Sequence, residues 1–212
     1  MAKIAVIGAT GKAGTQIIKE AAERGHEVTA IVRNASKLAD KSVAVLEKDI
    51  FNLTSEDLTK FDVVVNAFGA PMGEEHLHVE AGNVLIDALK GATNTRLIVV
   101  GGAGSLYVDE AKTLKVLDTP DFPAMFLPTA SNQGKNLEIL QGTSDLNWTF
   151  ISPSAFFAEG TRTGSYQTGK DNLLVNSKGE SYVSYEDYAI AVVDEIDNPK
   201  HLNERFTVVS ES

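Results

Sequence analysis

Three glycines with two residues between each pair lie near the start of the chain, in the stretch Gly8-Ala9-Thr10-Gly11-Lys12-Ala13-Gly14. An apolar run precedes this stretch and a helix-length segment follows it, which is the context in which such a turn binds a dinucleotide. Gly8 allows a tight turn, Gly11 lets the backbone approach a pyrophosphate, and Gly14 lets helix and strand pack closely. N–H groups at the helix N-terminus then face the phosphates. The residues of this turn expected to hold a cofactor are Gly8, Thr10, Gly11, Lys12, Ala13 and Gly14.

The residue that follows the second apolar run predicts which nicotinamide dinucleotide is preferred. Sites that prefer NAD place an acidic residue there for the ribose hydroxyls, whereas this chain has Arg33, with Ser36 and Lys37 close behind. A carboxylate would repel a 2′-phosphate, and a guanidinium can pair with it through two hydrogen bonds. The sequence therefore favours NADP(H), with NAD(H) still possible.

Further cofactor contacts are expected where later predicted strands end, because open α/β sheets bind ligands at the carboxyl ends of their strands. Asp49 follows the third predicted strand and is expected near the adenine. The stretch 67–69 follows the fourth and is expected against the adenosine ribose. The remaining predicted cofactor residues are Ala67, Phe68, Gly69, Gly101 and Pro153.

Short apolar runs rich in β-branched residues alternate with helix-length segments along the chain. The strands are apolar on both faces, as in a parallel sheet covered by helices on both sides. This pattern predicts an α/β fold, a Rossmann-type doubly wound and mainly parallel sheet, in a single domain spanning 1–212. Strands are predicted at 3–7, 26–32, 43–46, 62–67, 96–100, 148–151 and 205–209, and helices at 12–24, 55–59, 74–90, 129–141 and 184–196. The stretches 105–128 and 158–179 read as loops.

Composition excludes several classes of chemistry. The chain has no cysteine, which removes thiol nucleophiles and disulfides, and its formal net charge is −10, which disfavours nucleic acid and anionic lipid. No apolar stretch is long enough to cross a membrane, so a cytoplasmic protein is expected. His76 and His78 are two apart on a predicted helix and point to different sides, so no metal site is expected.

Several of these stretches together resemble a known group of proteins. The first glycine turn, Val32-Arg33-Asn34, the stretch 66–69, Val99 to Leu106, 160–164 and Ser184 to Ala189 are similar to the atypical short-chain dehydrogenase/reductases. Within that group they resemble the NAD(P)H-flavin reductase branch, relatives of biliverdin reductase B and of NmrA-like proteins. The resemblance implies a Rossmann domain that uses NADPH or NADH to reduce a flavin or a similar planar acceptor. Biliverdin reductase B carries a histidine near the position of Pro153, whereas Ser154 and Ala155 follow it here, which argues against bilin reduction.

The tyrosine–lysine pair of the classical members has one literal match, Tyr166 with Lys170. Glycines at 164 and 169 argue against the helix that such a pair requires. Reducing a carbonyl calls for a positioned acid, whereas a flavin spreads the added charge over a conjugated system and can take a proton from solvent. The missing pair therefore favours a flavin or quinone acceptor over an alcohol, and disfavours a sugar-nucleotide epimerase.

The acceptor is expected to exchange freely and to bind among loops 68–73, 101–128 and 152–180. Ser105 and Tyr107 are the predicted catalytic residues, and Phe156, Phe157 and Arg162 the predicted acceptor contacts. A monomer or homodimer acting on a small molecule is expected. The alternative is an NmrA-like protein that senses NADP(H) without performing chemistry, which the missing tyrosine–lysine pair fits equally well.

Overall fold

The computed structural model describes residues 1–211, so Ser212, the last residue of the predicted domain, lies outside the described residues. The strands are β1 (Lys3–Ile7), β2 (Glu27–Val32), β3 (Ala44–Glu47), β4 (Val63–Asn66), β5 (Arg96–Val100), β6 (Asn147–Ser152), β7 (Phe156–Ala158), β8 (Tyr166–Gly169), β9 (Tyr182–Ser184) and β10 (Glu204–Ser210). The α-helices are α1 (Lys12–Glu23), α2 (Ser55–Leu58), α3 (Leu77–Leu89), α4 (Leu127–Gln141) and α5 (Tyr185–Asp197).

Eight strands form one sheet in the order β3-β2-β1-β4-β5-β6-β10-β8, and β7 pairs with β9 in a separate small sheet. All neighbours in the large sheet are parallel except β8, which runs antiparallel to β10. The chain builds outward from β1 to β3 and then returns to place β4 on the other side of β1. The strand order therefore reverses beside β1, where doubly wound sheets bind nucleotides. The predicted fold class is confirmed.

Two apolar layers hold the helices on the sheet. Alternate residues of each central strand face opposite sides, so Ile4 and Val6 pack with α1 and α5, and Ala5 and Ile7 pack with α3. Both layers are nearly solvent-free. Burial on both faces explains why the central strands read as continuous apolar runs.

The segment predicted as a loop at 158–179 contains β8 and is flanked by the short pair β7 and β9. These strands are only three or four residues long, too short to show the apolar alternation that marks a strand. Strand β8 exists because β10 offers a free edge for it. The loop prediction is wrong there, for the physical reason that strand pairing is set by a distant partner.

Helix ends follow local chemistry. Helix α4 begins at Leu127 and not at Thr129, with Pro128 in its first turn, where a proline removes no helical hydrogen bond. Helix α5 begins after Ser184, whose hydroxyl accepts the Asp187 N–H at 3.0 Å. The helix was predicted at 184–196, so its start is displaced by one residue, and Ser184 is the cap residue.

Candidate functional site

In the turn between β1 and α1, the positions of Gly8 and Gly14 leave no room for a side chain. Gly8 has a φ of +74°, and a Cβ on it would overlap the carbonyl oxygen of Ala67 at the end of β4. A Cβ on Gly14 would overlap the carbonyl oxygen of Gly8. That carbonyl also accepts the Gly11 N–H at 2.9 Å, which closes the turn. The first and third glycines of the motif therefore let β1, β4 and α1 meet without a gap.

Helix α1 presents an open N-terminus beside this turn. Gly11 is the cap residue, its backbone is extended, and no side chain caps the helix. The first N–H groups of a helix have no acceptor within the helix. They form, with the helix dipole, a site for an anion such as a pyrophosphate.

A cavity of about 430 Å³ lies over this N-terminus and the carboxyl ends of β1, β2 and β4. Its walls include ten of the thirteen residues expected to bind the cofactor: Gly8, Thr10, Gly11, Lys12, Ala13, Arg33, Asp49, Ala67, Phe68 and Gly69. Gly14 lies beneath the turn, Gly101 packs against the Phe150 ring, and Pro153 is buried after β6, so these three are not on the wall.

Two charged residues mark the end of the cavity formed by β2 and β3. Arg33 is exposed, and its side chain forms no hydrogen bond or ion pair with any other residue in 1–211. Asp49 accepts the Phe51 N–H through one carboxylate oxygen at 3.0 Å, which leaves its other oxygen available. A guanidinium without an internal partner keeps its donors available to an anion bound in the cavity.

The loop after β4 is fixed by its own polar groups. The Asn66 side chain accepts the Phe68 N–H at 3.1 Å, and the His78 ring on α3 accepts the Ala70 N–H at 3.4 Å. Burial lowers the pKa of His78 below its ordinary value despite the nearby Glu75 carboxylate, which keeps the ring neutral and able to accept. Phe68 is thereby held edge-on to His78, with ring centroids 5.9 Å apart.

The cavity also includes residues that the sequence did not single out. Phe51 meets Phe68 edge-to-face at 5.9 Å, and Tyr185, the first residue of α5, packs on Phe157 at 4.4 Å. Lys48 lines the wall but donates to Asp57 at 2.6 Å, and this contact lowers the pKa of Asp57 to about 2. The helix that begins here was predicted from the sequence to within one residue, but the direction of the Tyr185 ring depends on how α5 packs against α1.

The residues predicted to contact the acceptor do not lie together in one site. Phe157 lines the cavity, whereas Phe156 beside it is 70% exposed. Arg162 donates to both carboxylate oxygens of buried Glu20, at 2.8 and 2.9 Å, so its charge already has a partner.

Ser105 and Tyr107 lie in the segment after β5 and are not on the cavity wall. Ser105 is buried and accepts a hydrogen bond from Arg205 at 3.2 Å. Tyr107 is half-buried, and its backbone N–H and carbonyl bond the backbone of Asp171 and Leu173 at 2.8 and 2.9 Å. That pairing ties the segment after β5 to the segment after β8.

In the literal tyrosine–lysine match, Tyr166 begins β8 and Lys170 directly follows that strand, so the two are not on a helix. Tyr166 donates its hydroxyl to Asp194 on α5, and Lys170 is 72% exposed with Glu204 at 3.7 Å. Burial, followed by the hydrogen bond to Asp194, raises the pKa of Tyr166. The prediction that this segment is not helical is confirmed, and the absence of a catalytic role for the pair stays a prediction.

A family described as NAD(P)H-binding matches residues 8–199 of the chain. The chain belongs to this NAD(P)H-binding family. It is 67% identical to the Bacillus subtilis (strain 168) protein YwnB over 211 residues, which is 99% of both chains. A crystal structure from Streptococcus pneumoniae TIGR4, described as a "putative NADH-flavin reductase", is 46% identical with a TM-score of 0.94, covering 99% of this chain and 100% of the other. An epimerase-like protein from Bacteroides thetaiotaomicron is 34% identical with a TM-score of 0.86, covering 99% and 97%.

Membership of the NAD(P)H-binding family agrees with the cavity at the glycine turn. A nicotinamide dinucleotide is therefore the cofactor class of this chain. Within residues 1–211, none of the helices has the length and apolar character needed to cross a membrane.

Proposed function

We propose that this member of the NAD(P)H-binding family is an oxidoreductase that passes hydride to a flavin or to a quinone-like planar acceptor. The observation that carries the proposal is the cavity over the uncapped N-terminus of α1. Its lining includes Phe157 and Arg33, and the Arg33 side chain has no partner within residues 1–211. The 46% identity with the Streptococcus pneumoniae protein supports flavin as the acceptor. The resemblance to atypical short-chain dehydrogenase/reductases points the same way.

The residues of the chain would act by binding and orienting. NAD(P)H, when bound, supplies two electrons and a proton as hydride. The first turn of α1 would hold the pyrophosphate, and Arg33 would pair with a 2′-phosphate, which favours NADP(H) over NAD(H). Phe157 and Tyr185 offer aromatic surface near the glycine turn. A planar acceptor needs orientation more than acid catalysis, because its conjugated system spreads the added charge.

The testing experiment is steady-state oxidation of NADPH and of NADH, with FMN, FAD and a simple benzoquinone offered separately. Turnover that saturates in one acceptor supports the reductase and identifies the acceptor class. The ratio of kcat/KM for the two cofactors measures the preference attributed to Arg33. Tight cofactor binding without turnover on any acceptor would replace the proposal by the sensor alternative.

A further inference from the structure

A buried arginine lies beneath the predicted catalytic segment, one hundred residues further along the chain. The Arg205 side chain, on β10, is 4% exposed. Its Nε and Nη2 both donate to one oxygen of Asp171 at 3.0 Å. Its Nη1 donates to the hydroxyl oxygens of Ser105 at 3.2 Å and Ser152 at 3.3 Å. The guanidinium therefore joins the segment after β5, the end of β6 and the segment after β8.

The cluster carries a surplus of positive charge. Asp171 also receives the Lys112 ammonium at 2.8 Å, so two cations share one carboxylate. Burial raises the pKa of Asp171, but the hydrogen bonds from Lys112 and Arg205 outweigh that effect and hold it below its ordinary value. The carboxylate thus stays charged, and the cluster has a net charge of +1 in a chain whose formal charge is −10. The extra charge is that of Lys112, whose side chain is 47% exposed, whereas the buried Arg205 guanidinium is paired with Asp171.

The guanidinium also sets the direction in which Ser105 donates. An arginine can only donate hydrogen bonds, so the Arg205 contact occupies a lone pair of the Ser105 oxygen and leaves its hydrogen for another acceptor. No acceptor for that hydrogen lies within hydrogen-bond distance among residues 1–211. Ser152 receives the same Arg205 nitrogen but is fully enclosed at 0% exposure, whereas Ser105 keeps 7%. Ser105 is therefore the less enclosed of the two residues.

We propose that Arg205 is a positioning residue that aims the Ser105 hydroxyl at a carbonyl oxygen of the acceptor, an inference that rests on the proposed reductase function. Hydride transfer breaks a C–H bond of the reduced nicotinamide, forms a bond from hydrogen to the acceptor, and moves both electrons with it. The acceptor becomes an anion with charge on its conjugated oxygen, and solvent then supplies a proton. Ser105 keeps its own proton and stabilises that oxygen by donating to it, while the Arg205 charge strengthens the donor.

The test compares Ser105→Ala with the matched control Ser152→Ala, which removes a hydroxyl bonded by the same nitrogen. Acceptor affinity is measured by quenching of FMN fluorescence in the presence of NADP⁺, and kcat by steady-state turnover. Ser105→Ala should weaken FMN binding and lower kcat by roughly tenfold each, with NADP⁺ affinity unchanged, since a lost hydrogen bond has that scale. Ser152→Ala should change both by less than about twofold. Thermal unfolding of both variants shows whether either loses stability.

The conservative variant Arg205→Lys keeps the positive charge but cannot donate to Asp171 and Ser105 through separate nitrogens. The Ser105 hydroxyl is then no longer held in place, so adding Ser105→Ala to this variant should reduce FMN affinity by a smaller factor than in the wild-type protein. Equal effects of the two serine variants would overturn the positioning role while leaving the reductase intact. A wild-type protein that binds FMN through Ser105 but does not oxidise NAD(P)H would overturn the reductase and retain the hydrogen bond. A wild-type protein that binds no FMN and turns over no acceptor would overturn both.

Discussion

Gly8 and Ala67 meet so closely at the ends of β1 and β4 that a methyl group on the glycine would overlap the alanine carbonyl. The same glycine has a φ of +74°, which L side chains rarely adopt. Gly8→Ala should therefore lower the free energy of unfolding by about 4 kcal/mol, the sum of backbone strain and displacement of a backbone carbonyl. Denaturant unfolding measures the change, and a cofactor titration should show a matching loss of NADPH affinity.

Gly25 provides the control for that substitution. Its φ is +80°, but a Cβ there would meet no atom within 4 Å. Gly25→Ala should cost about 1 kcal/mol, from the left-handed backbone alone, and should leave cofactor affinity unchanged. Equal losses for the two variants would show that the contact with Ala67 adds nothing to the strain at Gly8.

Arg33→Ala tests the cofactor preference. Arg33 has no side-chain partner within residues 1–211, so removing it should weaken NADPH binding by roughly tenfold or more and leave NADH binding nearly unchanged. Lys178→Ala removes the same charge from an exposed turn away from the cavity and should affect neither cofactor. Titration calorimetry with both cofactors measures this, and equal weakening of NADPH and NADH by Arg33→Ala would refute the assignment.

The sequence predicted the part of the fold that local patterns encode. The central strands are apolar on both faces, and the glycine turn has a fixed spacing, so both were visible before the structure. Strand β8 was not, because its four residues become a strand only by pairing with β10. Long-range pairing of this kind leaves no periodic signal in its own segment.

The same limit applies to the candidate site. Arg33 and the residues near it in the cavity follow strand ends, so their approximate position was predictable. Arg205 lies in β10, the last strand of the chain, and nothing in its own segment predicts that it is buried. It is buried because the segment after β5, the end of β6 and the segment after β8 pack around it. Arg162 shows the converse, since a charge expected to meet an acceptor is paired with Glu20. Partners of charged side chains depend on tertiary contacts that sequence spacing does not contain.

Tyr166→Phe and Lys170→Ala test whether the literal tyrosine–lysine match has a catalytic role. Tyr166 is held by Asp194 and its raised pKa keeps the phenol protonated, while Lys170 is mostly exposed. Neither variant should change kcat or KM for NAD(P)H oxidation. Tyr166→Phe should lower stability by about 1.5 kcal/mol through the lost hydrogen bond to a carboxylate, measured by thermal unfolding. A fall in kcat without a change in stability would restore the pair as catalytic.

Glu20 on α1 predicts how stability depends on acidic pH. Its carboxylate is 5% exposed and is held by Arg162 and Arg24. The hydrogen bond from Arg162 lowers the pKa of Glu20 below 4.5, burial opposes it, and Arg24 adds to the lowering. A carboxyl whose folded pKa is depressed stabilises the protein fully above its unfolded pKa, and that contribution is lost as pH falls through the folded pKa. Glu20 should therefore contribute to acid unfolding that begins below about pH 4.5.

Glu20→Gln should lower the free energy of unfolding at neutral pH by about 2 kcal/mol and flatten its decline below pH 4.5. Glu23→Gln, on the exposed side of the same helix, should do neither, and denaturant unfolding at several pH values compares them. Arg162→Ala then separates two roles for that arginine. The same flattening with unchanged FMN affinity would assign Arg162 to holding the segment after β7 on α1. Weaker FMN binding with an unchanged pH profile would instead assign it to the acceptor, through the donors of its half-exposed guanidinium that Glu20 does not use.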